Sequence, residues 1–138
     1  MIRVVIDTNV FMSYFLSSKG TIGEVVSYVH TNGVILASNE TLSELAVKLS
    51  VSRFATKYGT EVERMNFLEK IRQLVVFEEV TSVIRASSDP DDNIFLALAI
   101  DGRADCIVSG DSDLKDMGSF RNIPIYSPAQ FLASIKQR

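Results

Sequence analysis

The chain has 138 residues, of which 46% are hydrophobic and 22% are charged, and its formal net charge is −3. This length fits a single domain over residues 1–138, and the composition excludes a disordered or low-complexity chain. The longest apolar stretches are too short to span a membrane, and Met1 leads into a predicted strand without a signal-peptide pattern, so we expect a cytoplasmic protein with no membrane contact.

Strand and helix patterns alternate along the whole chain. They predict strands near residues 2–7, 33–37, 75–80, 105–109 and 123–126 and helices near residues 9–17, 21–31, 39–50, 60–73, 90–102 and 128–136. Residues 50–60 are expected to form a short helix or a loop. Because strands separated by helices favour right-handed crossovers, the pattern predicts an α/β fold, a three-layer α/β/α sandwich with a central parallel sheet of about five strands.

Acidic residues follow two apolar runs at the point where each predicted strand ends. Asp7 follows residues 2–6, and Asp111 and Asp113 follow residues 105–110. Strands that are apolar on both faces are typical of the middle of a parallel sheet, whose ligands bind outside the carboxyl ends of the strands. Three carboxylates would meet there and repel one another, so we favour a divalent-cation site over separate surface turns or helix caps.

A third group of acids lies at a predicted helix start. Asp89 precedes Pro90, so we expect Asp89 to cap the helix near 90–102 and Asp91 and Asp92 to lie in its first turn. The dipole of the helix favours negative charge at this end, which is a structural reason for these acids that needs no ligand.

The predicted helix near 39–50 supplies a fourth source of carboxylate. Glu40 and Glu44 lie one turn apart on one face of this helix, away from its apolar stripe. Capping alone does not require four sources of carboxylate in one fold, and their number favours a shared site.

The charge is distributed unevenly along the chain. Residues 89–116 contain eight acids and two basic residues, a net charge of −6, which leaves +3 for the rest. Nucleic-acid binders usually have a basic surface, so bound cations would have to neutralise this segment before it could approach a polyanion. Residues 48–72 contain six basic residues against three acids, which could follow a phosphate backbone or form an ordinary solvated helix surface.

Four segments occur in the order and at the spacings of one known family. They are Val-Val-Ile-Asp-Thr-Asn-Val at 4–10, Thr-Leu-Ser-Glu-Leu at 41–45, Asp-Pro-Asp-Asp-Asn-Ile-Phe-Leu-Ala-Leu-Ala at 89–99 and Ala-Asp-Cys-Ile-Val-Ser-Gly-Asp-Ser-Asp-Leu at 104–114. With these segments the chain resembles the PIN-domain family, in particular the VapC-like bacterial and archaeal members that are toxin components of toxin–antitoxin systems. The likeness spans almost the whole chain.

The resemblance implies a small endoribonuclease that hydrolyses RNA phosphodiester bonds with bound Mg²⁺ or Mn²⁺ and leaves 5′-phosphate and 3′-hydroxyl ends. It also implies an RNA substrate, a cognate antitoxin protein and a homodimer. It implies four pocket acids, one further metal ligand and two supporting polar residues, which are in turn Asp7, Glu44, Asp92 and Asp111; Asp113; and Asn9 and Ser109. Glu40 remains a rival to Glu44.

Two other functions remain as alternatives. Residues 110–116 resemble the late motif of haloacid-dehalogenase-like phosphatases, but Asn9 stands where those enzymes need a second aspartate, and an amide cannot serve as the general acid. The other alternative is a PIN-like module that binds RNA or protein with slow turnover or none. The single histidine, His30, excludes paired-histidine ribonuclease chemistry, and the single cysteine, Cys106, is expected to be a core residue.

Overall fold

Six strands form one sheet in the computed structural model, which describes residues 1–51 and 59–137. They are β1 (Ile2–Ile6), β2 (Gly33–Ala37), β3 (Val75–Phe77), β4 (Cys106–Val108), β5 (Ser119–Phe120) and β6 (Ile123–Tyr126). The order across the sheet is β3-β2-β1-β4-β6-β5. Neighbouring strands are parallel except β5, which pairs antiparallel with β6. The predicted five parallel strands are present, and the two-residue edge strand β5 is an addition.

Helices cover both faces of this sheet. They are α1 (Thr8–Leu16), α2 (Gly20–Asn32), α3 (Asn39–Ser50), α4 (Glu61–Leu74), α5 (Asn93–Asp101), α6 (Ser112–Met117) and α7 (Pro128–Ile135), with a 3-10 turn at Pro90–Asp92. Helices α1, α2, α3, α4 and α7 contribute to one apolar cluster, and α5 and α6 contribute to the other. The predicted three-layer α/β/α sandwich is therefore confirmed.

The alternation of side chains along β1 shows why the sheet is buried on both sides. Val4 and Ile6 belong to one apolar cluster and Val5 to the other, and all three are almost inaccessible to solvent. This is the pattern of a central strand in a parallel sheet. Cys106 in β4 is buried in the core as predicted, and His30 is exposed in the last turn of α2.

Two element boundaries and one additional helix are the main differences from the sequence prediction. The strand predicted at 75–80 ends at Phe77, and the chain beyond it is held instead by Asp101, whose carboxylate accepts from the backbone N–H groups of Thr81 and Ser82. The helix predicted from residue 90 begins with the 3-10 turn, where Asp89 accepts from Asp91 N at 3.0 Å as expected of the cap. Helix α6 was not predicted. Most of the segment predicted as a short helix or loop at 50–60 lies outside the described residues.

A buried arginine joins α3 to the start of α4. Arg64 is only 5% exposed. Its Nε donates to the carbonyl oxygen of Leu49 at 2.7 Å, and its Nη1 donates to that of Gly59 at 2.6 Å. Its charge therefore interacts with the carboxyl end of α3, where the helix dipole favours a cation. None of the helices in the described ranges is both long enough and apolar enough to cross a membrane.

Candidate active site

Asp7 lies at the carboxyl end of β1 and is 3% exposed. Its Oδ1 accepts from Val10 N at 2.8 Å and so caps α1, which is the capping role that its sequence position allows. Its Oδ2 accepts from the hydroxyl of Ser109 and from Gly110 N, the latter at 3.3 Å. The carboxylate is therefore fixed in orientation by groups from the neighbouring strand end.

Asp111 is linked to Asp7 through the buried Ser109. The backbone N–H of Asp111 donates to Ser109 Oγ at 2.9 Å, while the Ser109 hydroxyl donates to Asp7. Asp111 also caps α6, because its Oδ1 accepts from Asp113 N at 2.7 Å. Ser109, predicted only as a supporting polar residue, thus connects the acids that follow β1 and β4.

Asp92 enters the same region from the start of α5. It is 7% exposed, and Ser87 Oγ donates to its Oδ2 at 3.3 Å. Asn93 holds Ser87 in place, because its Oδ1 accepts from Ala86 N at 3.2 Å and from Ser87 N at 2.9 Å. Asn93 therefore acts on the site indirectly, by fixing the loop that supports Asp92.

Three of the acids approach one another closely enough to share an ion. Asp89, Asp92 and Asp111 each offer a carboxylate oxygen within 4.8 Å of the others. They line a small polar cleft of about 60 Å³ at the carboxyl edge of the sheet. The residues that line it are Asp7, Thr8, Asn9, Glu44, Lys48, Asp89, Asp91, Asp92, Phe95 and Asp111.

The structure separates the two glutamates of α3. Glu44 lines the acidic cleft, whereas Glu40 is exposed and lies beside a different groove that contains Val80. Asn9 lines the cleft as well, but its amide oxygen accepts from Lys48 Nζ at 3.4 Å. Among the described residues it makes no hydrogen bond to a carboxylate.

Burial and like charge act on the protonation of two of these acids. Burial raises the pKa of the Asp7 carboxyl above its ordinary value and the charge of Asp111 raises it further, against hydrogen bonds from Ser109, Val10 N and Gly110 N. Burial also raises the pKa of Asp92 to about 7, and the charges of Asp111 and Asp89 add to this rise. In the absence of a cation these carboxyls therefore resist ionisation.

The donor set fits a hard divalent cation. Carboxylate oxygens are the ligands that Mg²⁺ and Mn²⁺ take, and a bound cation would favour the ionised form of acids whose pKa is raised by burial. Thr8 is 2% exposed, and its Oγ1 has no hydrogen-bond partner in the described part of the chain although the residue borders the cleft. An unpaired buried hydroxyl is costly, so Thr8 Oγ1 is a polar atom at the cleft that can accept a hydrogen bond from, or donate one to, a group bound there.

For three residues the structure and the sequence prediction disagree about their part in the site. Asp89 was assigned only a capping role, yet its carboxylate belongs to the close acid cluster. Lys48 was not assigned to the site; its spacing of four from Glu44 was the available signal. Asp113, predicted as a metal ligand, does not line the cleft, although its charge contributes to raising the pKa of Asp92.

The fold and this cleft define an α/β sandwich protein with a carboxylate site at the carboxyl edge of its sheet. Residues 3–113 match the family model described as PIN domain, and the chain belongs to this family. This membership removes the haloacid-dehalogenase alternative. The uncharacterized protein MJ1680 of Methanocaldococcus jannaschii is 28% identical over 114 residues, which cover 82% of this chain and 73% of that protein.

Solved structures of low sequence identity share the fold. VapBC2 from Rickettsia felis, whose structure is bound to a DNA fragment from the promoter, matches with a TM-score of 0.67 at 12% identity, over 91% of this chain and 98% of that chain. VapC20 of Mycobacterium tuberculosis, described as a Sarcin-Ricin loop cleaving toxin, matches with a TM-score of 0.58 at 15% identity, over 88% and 98%. These matches support the architecture derived above.

Proposed function

We propose that this protein is a divalent-metal-dependent endoribonuclease and the toxin of a toxin–antitoxin pair. The observation that carries the proposal is the approach of the Asp89, Asp92 and Asp111 carboxylates to within 4.8 Å, beside the buried Asp7. Such a group of acids repels an RNA phosphate unless cations neutralise it, and with cations it becomes an anion site. Membership of the PIN-domain family and the likeness to a toxin described as cleaving the Sarcin-Ricin loop support the same conclusion.

In this proposal Mg²⁺ or Mn²⁺ is held by Asp7, Glu44, Asp92 and Asp111, with Asp89 as an additional ligand. When bound, the metal supplies Lewis-acid activation of water and neutralises charge on the phosphate. Ser109 hydrogen-bonds both the Asp7 carboxylate and the backbone N–H of Asp111, so it holds together two proposed ligands that follow different strands. Asp113 remains a proposed metal ligand, but a less favoured one than the other acids, because it does not border the cleft.

The partners follow from the relatives. VapBC2 from Rickettsia felis is bound to a DNA fragment from the promoter, and VapBC from Salmonella typhimurium is DNA bound. By likeness to these VapBC proteins we propose for this chain an antitoxin that covers the acidic cleft. A homodimer and a cytoplasmic RNA substrate complete the proposal. The −6 charge of residues 89–116 favours a partner segment with basic side chains.

The experiment compares two aspartate substitutions in an RNA cleavage assay with Mn²⁺. Asp7→Asn removes a charge from the cleft but preserves the shape of the side chain and its ability to accept from Val10 N. Asp116→Asn is the matched control, because Asp116 is exposed on α6 and does not line the cleft. We expect the first variant to lose cleavage and the second to cleave at the wild-type rate.

The stability of the two variants separates a functional role from a structural one. Because burial raises the pKa of Asp7, replacing it by a neutral amide should leave the melting temperature of the metal-free protein unchanged or higher. If Asp7→Asn cleaves RNA like the wild type, Asp7 is only a helix cap. If the wild type binds RNA but releases no product in any divalent metal, the protein is the non-cleaving binding module.

A further inference from the structure

Lys48 is the one cation among the side chains that line the acidic cleft in the described part of the chain. Its Nζ lies 3.4 Å from Glu44 Oε1 and 3.4 Å from Asn9 Oδ1. The first contact lies within α3, and the second connects α3 to the first turn of α1. Lys48 therefore differs from an ordinary exposed i,i+4 partner, because its ammonium joins two elements at the border of the candidate site.

The acids of the cleft are unequally neutralised. Lys48 pairs with Glu44, and within 4.0 Å its Nζ reaches no other carboxylate of the described residues. The close cluster of Asp89, Asp92 and Asp111 has no salt bridge in those same residue ranges. The cleft thus contains an acid cluster that suits a divalent cation and, along the same lining, a glutamate that already has a monovalent counter-charge.

The exposure and the long contacts of the Lys48 side chain allow it to change its hydrogen-bond partner. Its side chain is 38% exposed, against 21% for Glu44, and both of its polar contacts are long. A lysine ammonium is a compact charge on a flexible stem and is a common ligand of phosphate oxygens. Among the described residues, a polyanion that enters this cleft meets six acids and one cation, so its favourable contact with a charged side chain of that set is with Lys48.

We propose that Lys48 is the RNA phosphate-binding residue of this cleft. In the metal-free protein it neutralises Glu44, and when RNA enters it donates a hydrogen bond from Nζ to a non-bridging oxygen of a backbone phosphate, which leaves Glu44 available to the metal. This inference rests on the proposed function and adds to it the side chain that receives the substrate phosphate.

The proposal predicts opposite effects on two ligands when the charge of Lys48 is removed. Lys48→Met keeps most of the aliphatic stem but removes the ammonium. Loss of a positive charge beside the cation site should tighten Mn²⁺ binding roughly three- to tenfold, as expected for charges separated by a partly screened, water-rich medium. Loss of a phosphate contact should weaken single-stranded RNA binding by a similar factor and reduce the slope of log affinity against log salt by about 0.7.

The experiment measures both affinities on the full chain. Mn²⁺ binding is followed by isothermal titration calorimetry without RNA. Binding of a short fluorescent single-stranded RNA is followed by anisotropy in Ca²⁺ over a range of salt concentrations, with the RNA checked to be intact. Lys48→Arg should restore RNA binding because it restores the charge. Lys19→Met is the matched control, since Lys19 is exposed before α2 and does not line the cleft, and it should change neither affinity.

Two results would overturn the role of Lys48 while leaving the nuclease proposal intact. One is a folded Lys48→Met protein with wild-type affinity for both Mn²⁺ and RNA. The other is a loss of both affinities together, which would mean that Lys48 only positions Glu44. Failure of the proposed function has a different signature, a wild-type protein that cleaves no RNA in any metal. If that protein does not bind RNA either, both proposals are overturned.

Discussion

The raised pKa of Asp92 makes the stability of the metal-free protein depend on pH in a defined direction. Asp92 has an ordinary pKa of 3.8 in the unfolded chain and a pKa of about 7 in the folded protein. Between these values the folded state holds a proton that the unfolded state has lost, so stability falls as the pH rises through this range. The penalty is absent below about pH 4 and complete above about pH 7.

The size of the effect follows from the two pKa values. Each pH unit between them corresponds to about 1.4 kcal/mol, so ionising Asp92 destabilises the folded state by at most about 4 kcal/mol, and screening by solvent at the open cleft lowers this figure. At most about 2.5 kcal/mol of this arises between pH 5 and pH 8 by the same linkage relation. Asp92→Asn has no ionisable group at this position but keeps an oxygen that accepts from Ser87 Oγ. Its stability advantage over the wild type should therefore grow from pH 5 to pH 8, by about 1 to 2.5 kcal/mol once solvent screening is included.

Urea unfolding in EDTA at pH 5 and pH 8 measures this difference. Asp116→Asn serves as the control, because an exposed acid outside the cleft should give the same difference from the wild type at both pH values. If the advantage of Asp92→Asn is equal at pH 5 and pH 8, burial and the neighbouring acids do not hold the proton on Asp92, and the electrostatic description of the cleft is wrong.

Three further predictions concern α3, the buried arginine and the metal. In Mn²⁺, Glu44→Gln should lower the rate of RNA cleavage at least tenfold, which corresponds to about 1.4 kcal/mol of transition-state stabilisation. Glu40→Gln should cleave at the wild-type rate, because Glu40 lies beside a different groove. Equal rates for the two variants would mean that α3 contributes no catalytic residue. Arg64→Met should destabilise the protein by about 1.5–3 kcal/mol, measured by urea unfolding, because the carbonyl groups of Leu49 and Gly59 lose charged donors. Glu44→Gln protein should bind single-stranded RNA more tightly in Ca²⁺ than in EDTA at constant ionic strength, and equal affinity would contradict a metal-neutralised cleft.

The order of elements could be predicted because apolar runs of strand length alternate with helical patterns. The clearest case is β1, where burial on both faces makes every residue from Val4 to Ile6 apolar. Short elements were harder to predict. Helix α6 spans six residues with a charged sequence, and β5 has two residues whose pairing depends on the turn that follows them. Periodicity over so few positions cannot separate a helix or strand from a loop.

The acids of the candidate site could be named from the sequence, but their division of roles could not. The sequence predicts that the acids at the start of α5 share a site with Asp111, but it assigns Asp89 to a helix cap and does not show that Asp89 itself comes within 4.8 Å of Asp111. The position of Lys48 against Asn9 depends on how α3 packs on α1. Likewise the raised pKa of Asp92 results from burial, which is a property of the packed sheet and helices.

RNA cleavage by metal-stripped protein, before and after Mn²⁺ is added back at constant ionic strength, shows whether the nuclease activity needs a bound metal. If the protein is a metal-dependent nuclease, we expect no cleavage in EDTA. With Mn²⁺ we expect the wild type to release products with 5′-phosphate and 3′-hydroxyl ends and Asp7→Asn to release none. Cleavage that continues in EDTA, at the same rate in the wild type and in Asp7→Asn, would contradict a metal-dependent nuclease and would leave the clustered acids with helix capping as their role.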